Sequence, residues 1–333
     1  MKTRQYQAIS FAILAAALYA ISSPVSKLLL QEIPPTLMAS FLYLGAGLGM
    51  LIMGFISRVN VKKRESSLTK KELPFTLTMV VLDILAPIFL MIGLTMTSAA
   101  NASLLNNFEI VATSLIALFI FNEAISKRLW GAISLITISS IILSIEDVSS
   151  FSFSLGSIFV LLACICWGLE NNCTRKLSIK DPLEIVVIKG LGSGVGSLLV
   201  ALVLKENASN LAYVAIALLL GFFSYGLSIY FYIYAQRYLG AAKTSAYYAI
   251  APFIGVGLSL MIFRELPTTT FLIALFIMIL GMYLASTEER KFSLPLIHKH
   301  EHSHDDHHHS HSHFKYIFGS HSHLHIHKDL TTH

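Results

Sequence analysis

The chain has 333 residues, of which 55% are hydrophobic and only 13% charged, with a formal charge of +5. A soluble domain carries about 25% charged residues, so a mainly water-facing protein is excluded and a polytopic membrane protein is predicted. The positive balance does not imply nucleic acid as a partner. Its lysines and arginines fall in short stretches between apolar runs, where they set topology.

A membrane span needs about 20 apolar residues. Ten such runs follow one another: 8–30, 36–57, 74–95, 98–120, 129–146, 153–174, 184–204, 211–234, 240–263 and 268–287. The first is too long for a signal-peptide core of roughly 7–15 residues, so it reads as a retained helix. The connections are short, which predicts antiparallel hairpins. With the N-terminus inside, the cytoplasmic segments hold Lys2 and Arg4, the run from Arg58 to Lys71, Lys127 and Arg128, Arg175 to Lys180, Arg237, and Arg290 with Lys291. Only Lys27, Lys205 and Arg264 fall outside. This bias predicts both termini to be cytoplasmic, in a plasma or inner membrane.

Span one carries LYAISSPVSK, which lines up with WGLENNCTRK in span six. Pro24 in span one removes a backbone hydrogen bond, as does Pro252 in span nine, so both predict kinks. Span two carries Gly45, Gly47 and Gly49, and span seven carries Gly192, Gly194 and Gly196 at the same spacing. No strand surrounds these glycines, so they are not a dinucleotide fingerprint. Small residues at this spacing let helices approach closely in lipid. The halves are therefore spans 1–5 and 6–10. Because five is odd, the second half is inserted upside down, a common plan for secondary transporters. The predicted fold is an all-α membrane protein of two inverted five-helix repeats, residues 1–146 and 147–287, followed by a disordered His-rich tail, residues 288–333.

Span three places Asp83 near mid-depth. Span four, with its flanks, reads TSAANASLLNNFEIVATSLIALFIFNE, and Asn106, Glu109 and Thr113 are predicted to share one face of it. Ionisable groups are costly at membrane depth and mark functional sites by default. Glu109 and Asp83 are thus candidates for binding a substrate amine or carrying a proton, or for pairing structurally with a cation. Asn106, Asn107, Asn171 and Asn172 hydrogen-bond either a ligand or a neighbouring helix. Cys164, Cys166 and Cys173 all fall in span six. Cys166, Glu170 and Cys173 share a face that could hold a soft metal, although buried free thiols are the commoner outcome. Glu170 and Lys189 read as a structural ion pair. Tyr225, Ser228 and Tyr232 share a face of span eight, and Tyr248 lies in span nine with Tyr247. Their rings suit an amphipathic organic ligand or the membrane interface. Lys243 starts span nine, either as a substrate contact or by snorkelling. Glu123 and Glu265 end spans four and nine as capping groups.

At this point the chain resembles the EamA-type members of the drug/metabolite transporter superfamily. The resemblance covers about residues 7–287. It rests on the ten spans, the five-plus-five repeat, TSAANASLL…E in span four and GAAKTSAYY…P…E in span nine. Members often carry Pro in span four where this chain has Ile110. The resemblance implies a substrate cavity lined by both halves, with spans five and ten peripheral.

No GxxxxGK[ST], GxSxG or HExxH motif occurs, so no enzyme activity is expected and transport would run on a gradient or by exchange. All 14 histidines lie between His298 and His333. Neutral imidazole binds zinc, nickel, cobalt and copper. His302, His304, His307, His308, His309, His311 and His313 are the predicted ligands of such ions, in a tail expected to lack regular structure without metal. The first functional reading is a secondary transporter, exporter or exchanger, of small organic metabolites. Its substrate would meet Glu109, Asp83, Asn106, Asn171, Tyr225, Tyr232, Tyr248 and Lys243. The alternatives are a transition-metal carrier assisted by the tail, and a membrane-bound metal sensor or scaffold.

Overall fold

The computed structural model describes residues 2–57, 70–122, 124–147, 152–177, 180–208, 210–239, 244, 247–286, 296–302 and 321–327. Lys243, Glu123 and most of the basic loop after span two lie outside the described residues. The chain divides into two compact units, Met1–Glu288 and Glu289–His333.

Among its described residues, the first unit is helical apart from loops and a short pairing of Ile145–Asp147 with Ser152–Phe153. Among the described residues, nine helical spans are long and apolar enough to cross a membrane, from Tyr6–Leu29 to Thr269–Ser286. A shorter apolar helix, Ala251–Phe263, stands where the ninth span is predicted. The outward residues of the spans are large and apolar. In span ten, Phe276, Ile279, Leu280 and Tyr283 are all exposed, as lipid-facing positions should be.

Several spans that read as continuous are interrupted. Span one is a helix Lys2–Ala20 followed by Ser22–Leu29. Span four is Ala99–Leu105 followed by Phe108–Phe121, with a turn at Asn106 and Asn107. Two consecutive asparagines explain the break, because their amides compete with the helical ladder. The Asn107 Nδ2 donates to Leu104 O at 3.0 Å. The expected shared face is corrected accordingly: Glu109 and Thr113 stay together, while Asn106 sits in the break. Span eight contains a stretch of π-helix, Phe222–Leu227, between Leu211–Gly221 and Ser228–Leu239. Span nine turns at Ala249 and Ile250 and restarts with Pro252 in its first turn. Spans four and nine both end on a left-handed residue, Asn122 (φ 54°) and Arg264 (φ 52°), 142 positions apart.

Packing crosses between the first five spans and the last five. Span two packs on seven, three on six, one on eight, five on ten, and four on nine; span four also packs on six, and one on nine. Exchanging spans 1–5 with spans 6–10 turns this set of pairings into itself. Spans two and seven cross closely at Gly47 and Gly190. A Cβ on Gly190 would lie 2.5 Å from Gly47 Cα and 3.0 Å from Tyr43 O. The sequence signal named Gly47 but not Gly190. Gly190→Val is expected to force the two helices apart at a cost of about 1–3 kcal/mol. A lower melting temperature than wild type, measured in one detergent, is the check, and an unchanged one would refute the crossing.

In the second unit, Leu296–His302 pairs antiparallel with His321–His327. This segment was expected to lack regular structure, and the described part is a two-stranded ribbon instead. Its histidines alternate with other residues, which is the periodicity of a strand. The register sets His298 opposite His325, His300 opposite His323, and His302 opposite His321. His304, His307, His308, His309, His311 and His313 lie outside the described residues.

Candidate functional site

The interruptions of spans one, four and nine meet at a narrow cavity. It is lined by Tyr19, Ala20 and Ser23 of span one, Ser103 and Asn106 of span four, and Ala251, Pro252 and Gly255 of span nine. Pro24 has no N–H, so the Ala20 carbonyl loses its helical donor; Pro252 does the same to the carbonyl of Tyr248. Two side-chain atoms at this cavity, Ser103 Oγ and Asn106 Oδ1, are buried without a hydrogen-bond partner. A buried polar atom left unpaired costs about 1–3 kcal/mol. Broken helices of this kind commonly frame substrate sites in transporters.

A chain of tyrosines runs away from the cavity. Tyr19 contacts Tyr248 and Tyr225, each with ring centroids 5.9 Å apart. Tyr248 packs edge-on against Tyr232 at 5.0 Å, and Tyr225 reaches Tyr43 at 5.3 Å. Hydroxyls fix the rings: Ser22 Oγ donates to Tyr225 Oη at 3.2 Å, and Ser228 Oγ lies 3.5 Å from Tyr248 Oη. Tyr225 sits in the π-helical stretch, where the altered hydrogen-bond pattern often serves function.

Glu109 lies in the first turn of the second half of span four, where a helix N-terminus favours negative charge. Its Oε1 accepts from Asn171 Nδ2 at 2.6 Å, and the same amide approaches Thr113 Oγ1 at 3.4 Å.

Beyond the tyrosines lies a charged triad. Lys189 Nζ sits 3.2 Å from Asp83 Oδ2 and 3.1 Å from Glu170 Oε1. Both carboxylates are almost fully buried, and the lysine is 13% exposed. Tyr43 Oη donates to Asp83 Oδ1 at 3.0 Å, Trp167 Nε1 donates to Tyr43 Oη at 3.4 Å, and Thr174 Oγ1 donates to Glu170. The expected pair of Glu170 and Lys189 is therefore part of a larger group that includes Asp83.

The predicted residues thus gather around one region: Asn106 at the cavity, Tyr225, Tyr232 and Tyr248 in the aromatic chain, Glu109 with Asn171, and Asp83 in the triad. Lys243 lies outside the described residues. Tyr19, Tyr43, Ser103 and Trp167 were missed by sequence reasoning. Tyr19, Ser103 and Trp167 were in view, inside LYAISSPVSK, TSAANASLL and WGLENNCTRK; Tyr43 carries no local signal beyond a polar group in an apolar run. The three thiols are free, and among the described residues no three His, Cys, Asp or Glu side chains converge on a metal position.

Comparison with known proteins agrees with this architecture. The sequence profile of the EamA-like transporter family matches residues 7–145 and again 154–287. An uncharacterized transporter of Methanothermobacter thermautotrophicus is 27% identical over 270 residues, covering 76% of this chain and 78% of its own. The uncharacterized transporter YyaM of Bacillus subtilis is 25% identical over 207 residues, covering 59% of this chain and 67% of its own. One solved crystal structure, 15% identical, superposes on 86% of this chain and 98% of its own with a TM-score of 0.61, a likeness of fold alone.

Proposed function

Because this chain belongs to the EamA-like transporter family, we propose that it is a secondary transporter of small organic metabolites bearing a hydrogen-bond donor, working as an exporter or exchanger. The carrying observation is the cavity at the three helix interruptions, with its unpaired Ser103 Oγ and Asn106 Oδ1. An amide oxygen only accepts, and a hydroxyl can accept as well, so the pair calls for a donor such as an amine or amide. The adjoining tyrosines supply apolar faces, and Glu109 supplies a negative charge for a cationic group.

The symmetric pairing of spans, the two profile matches and the matched left-handed ends at Asn122 and Arg264 support two inverted repeats, residues 1–146 and 147–287. Alternating access is then a rocking of one repeat against the other around the cavity. The lysine and arginine distribution supports cytoplasmic termini in a plasma or inner membrane.

A second reading gives the tail a separate metal role. The ribbon register places three histidine pairs directly across from each other. Neutral imidazole is a good ligand for zinc, nickel, cobalt or copper. On this reading the tail collects the ion and the spans carry another substrate.

One screen tests both readings. Full-length protein and protein ending at Glu288 are heated with amino acids, nucleosides, amines and divalent metals. A donor-bearing organic compound is expected to raise the melting temperature of both forms, and Asn106→Leu should abolish that shift. The metal shift is expected only with the tail present. A metal shift that survives truncation, with no organic response, would instead make the protein a transition-metal carrier.

A further inference from the structure

We infer that Asp83 is the proton-coupling site of this transporter, with Lys189 and a proton as alternative partners for its carboxylate. The inference rests on the transporter reading above and names its coupling ion.

The charges demand a counter-ion. Asp83 and Glu170 bring two negative charges to one lysine, so the buried triad carries one excess negative charge when both acids are ionised. Buried net charge is costly. A proton removes it without moving a heavy atom. A metal cation fits poorly, because the Lys189 ammonium already occupies the space between the carboxylates and repels it.

The triad is also divided in a way that ties it to motion. Glu170 and Lys189 lie on spans six and seven, in the second repeat, whereas Asp83 lies on span three, in the first. Rocking of one repeat against the other leaves Glu170 with Lys189 but stretches the contact between Lys189 and Asp83. Once parted, Asp83 keeps the hydrogen bond from Tyr43, which also belongs to the first repeat. One hydrogen bond from a neutral phenol does not balance a buried carboxylate, so Asp83 takes a proton. When the repeats close again, Lys189 returns and the proton leaves. Pro87 sits one helical turn after Asp83 and removes the helical donor of the Asp83 carbonyl, which gives span three a bending point there.

Asp83 contacts Tyr43 of span two and Lys189 of span seven; Glu170 of span six, one turn after Cys166, contacts the same lysine, and Tyr225 of span eight packs on Tyr43. Glu109 of span four acts at one remove, through Glu170 and Lys189. Among these, Glu109 and Glu170 are the other carboxylates, so the test must tell them apart.

The experiment is pH-difference infrared spectroscopy of full-length protein in nanodiscs, paired with uptake into proteoliposomes. Wild type is expected to show a carboxylic-acid C=O band that disappears as pH rises. Asp83→Asn should lack it, and Asp83→Glu should shift it. Asp83→Asn leaves a neutral pair of Lys189 with Glu170 and should fold; if it does not, the shift in Asp83→Glu carries the assignment. A wild type with no such band, or a band lost in Glu109→Gln or Glu170→Gln but unchanged in both Asp83 variants, would overturn the inference. In liposomes, a pH gradient should drive wild type to concentrate substrate, while Asp83→Asn only equilibrates it; equal concentration by both would also overturn it. Transport without the band refutes the proton site and leaves the transporter reading intact. The band without transport of any compound from the screen supports the proton site and counts against the transporter reading.

Discussion

Lys189→Met is expected to destabilise the protein by about 3–5 kcal/mol, the usual cost of removing one partner from a buried ion pair. Methionine matches the length of the lysine stem but leaves Asp83 and Glu170 facing each other without a cation. Native proteins are stable by only about 5–15 kcal/mol, so much of the folded population should be lost. The sign of the pH effect follows from the charges. Each proton taken up by the two acids removes one unbalanced negative charge, so the variant should recover as pH falls. Adding Asp83→Asn to Lys189→Met halves the stranded charge and should restore part of the loss. The yield of monodisperse protein and its melting temperature at two pH values measure all three effects. A single variant as stable as wild type at neutral pH would show that Lys189 is not holding the two carboxylates.

The second large effect is expected at Glu109, on binding rather than on stability. In Glu109→Gln the amide oxygen can still accept from Asn171 Nδ2, so the bond between spans four and six persists. What disappears is the negative charge beside Tyr19, Tyr225 and Tyr248. A hydrogen bond to a charged group contributes about 1.5–3 kcal/mol, which is roughly a ten- to hundredfold loss of affinity for a cationic ligand. A neutral ligand of the same size should bind almost as before. Titration of a matched amine and alcohol against both proteins measures the difference. Equal affinity of the amine for wild type and variant would remove Glu109 from the binding site.

Glu109 and Lys189 were not equally legible in the sequence. Glu109 was visible as a carboxylate in the middle of an apolar run, and its candidacy needed only the cost of burying charge. Lys189 was visible as the partner of Glu170, because both lie toward the same end of neighbouring spans. Its contact with Asp83, a span from the other half, was not. The break in span four was half legible: two adjacent asparagines mark a weak point, but an intact helix also tolerates them.

Depth and order along the chain are legible in the residues alone. Composition excluded water as the main environment, run lengths set the spans, and the glycine and Thr97–Glu123 patterns recur in spans seven and nine. These are local properties, each fixed by a few residues and the thickness of a bilayer. The tertiary structure decided azimuth, that is, which polar group on one span faces which on another. Spans that are apolar all round carry no stripe to orient them, because lipid and protein interior are equally apolar. Their rotation is set by close approach at points such as Gly47 and Gly190 and by the few polar groups that must find partners. That is why Tyr43 and Trp167 became legible only once span two lay against span seven and span three against span six. The same packing brought Asp83, Glu170 and Lys189 into one triad, and left Ser103 and Asn106 unpaired at a cavity made by three interrupted helices.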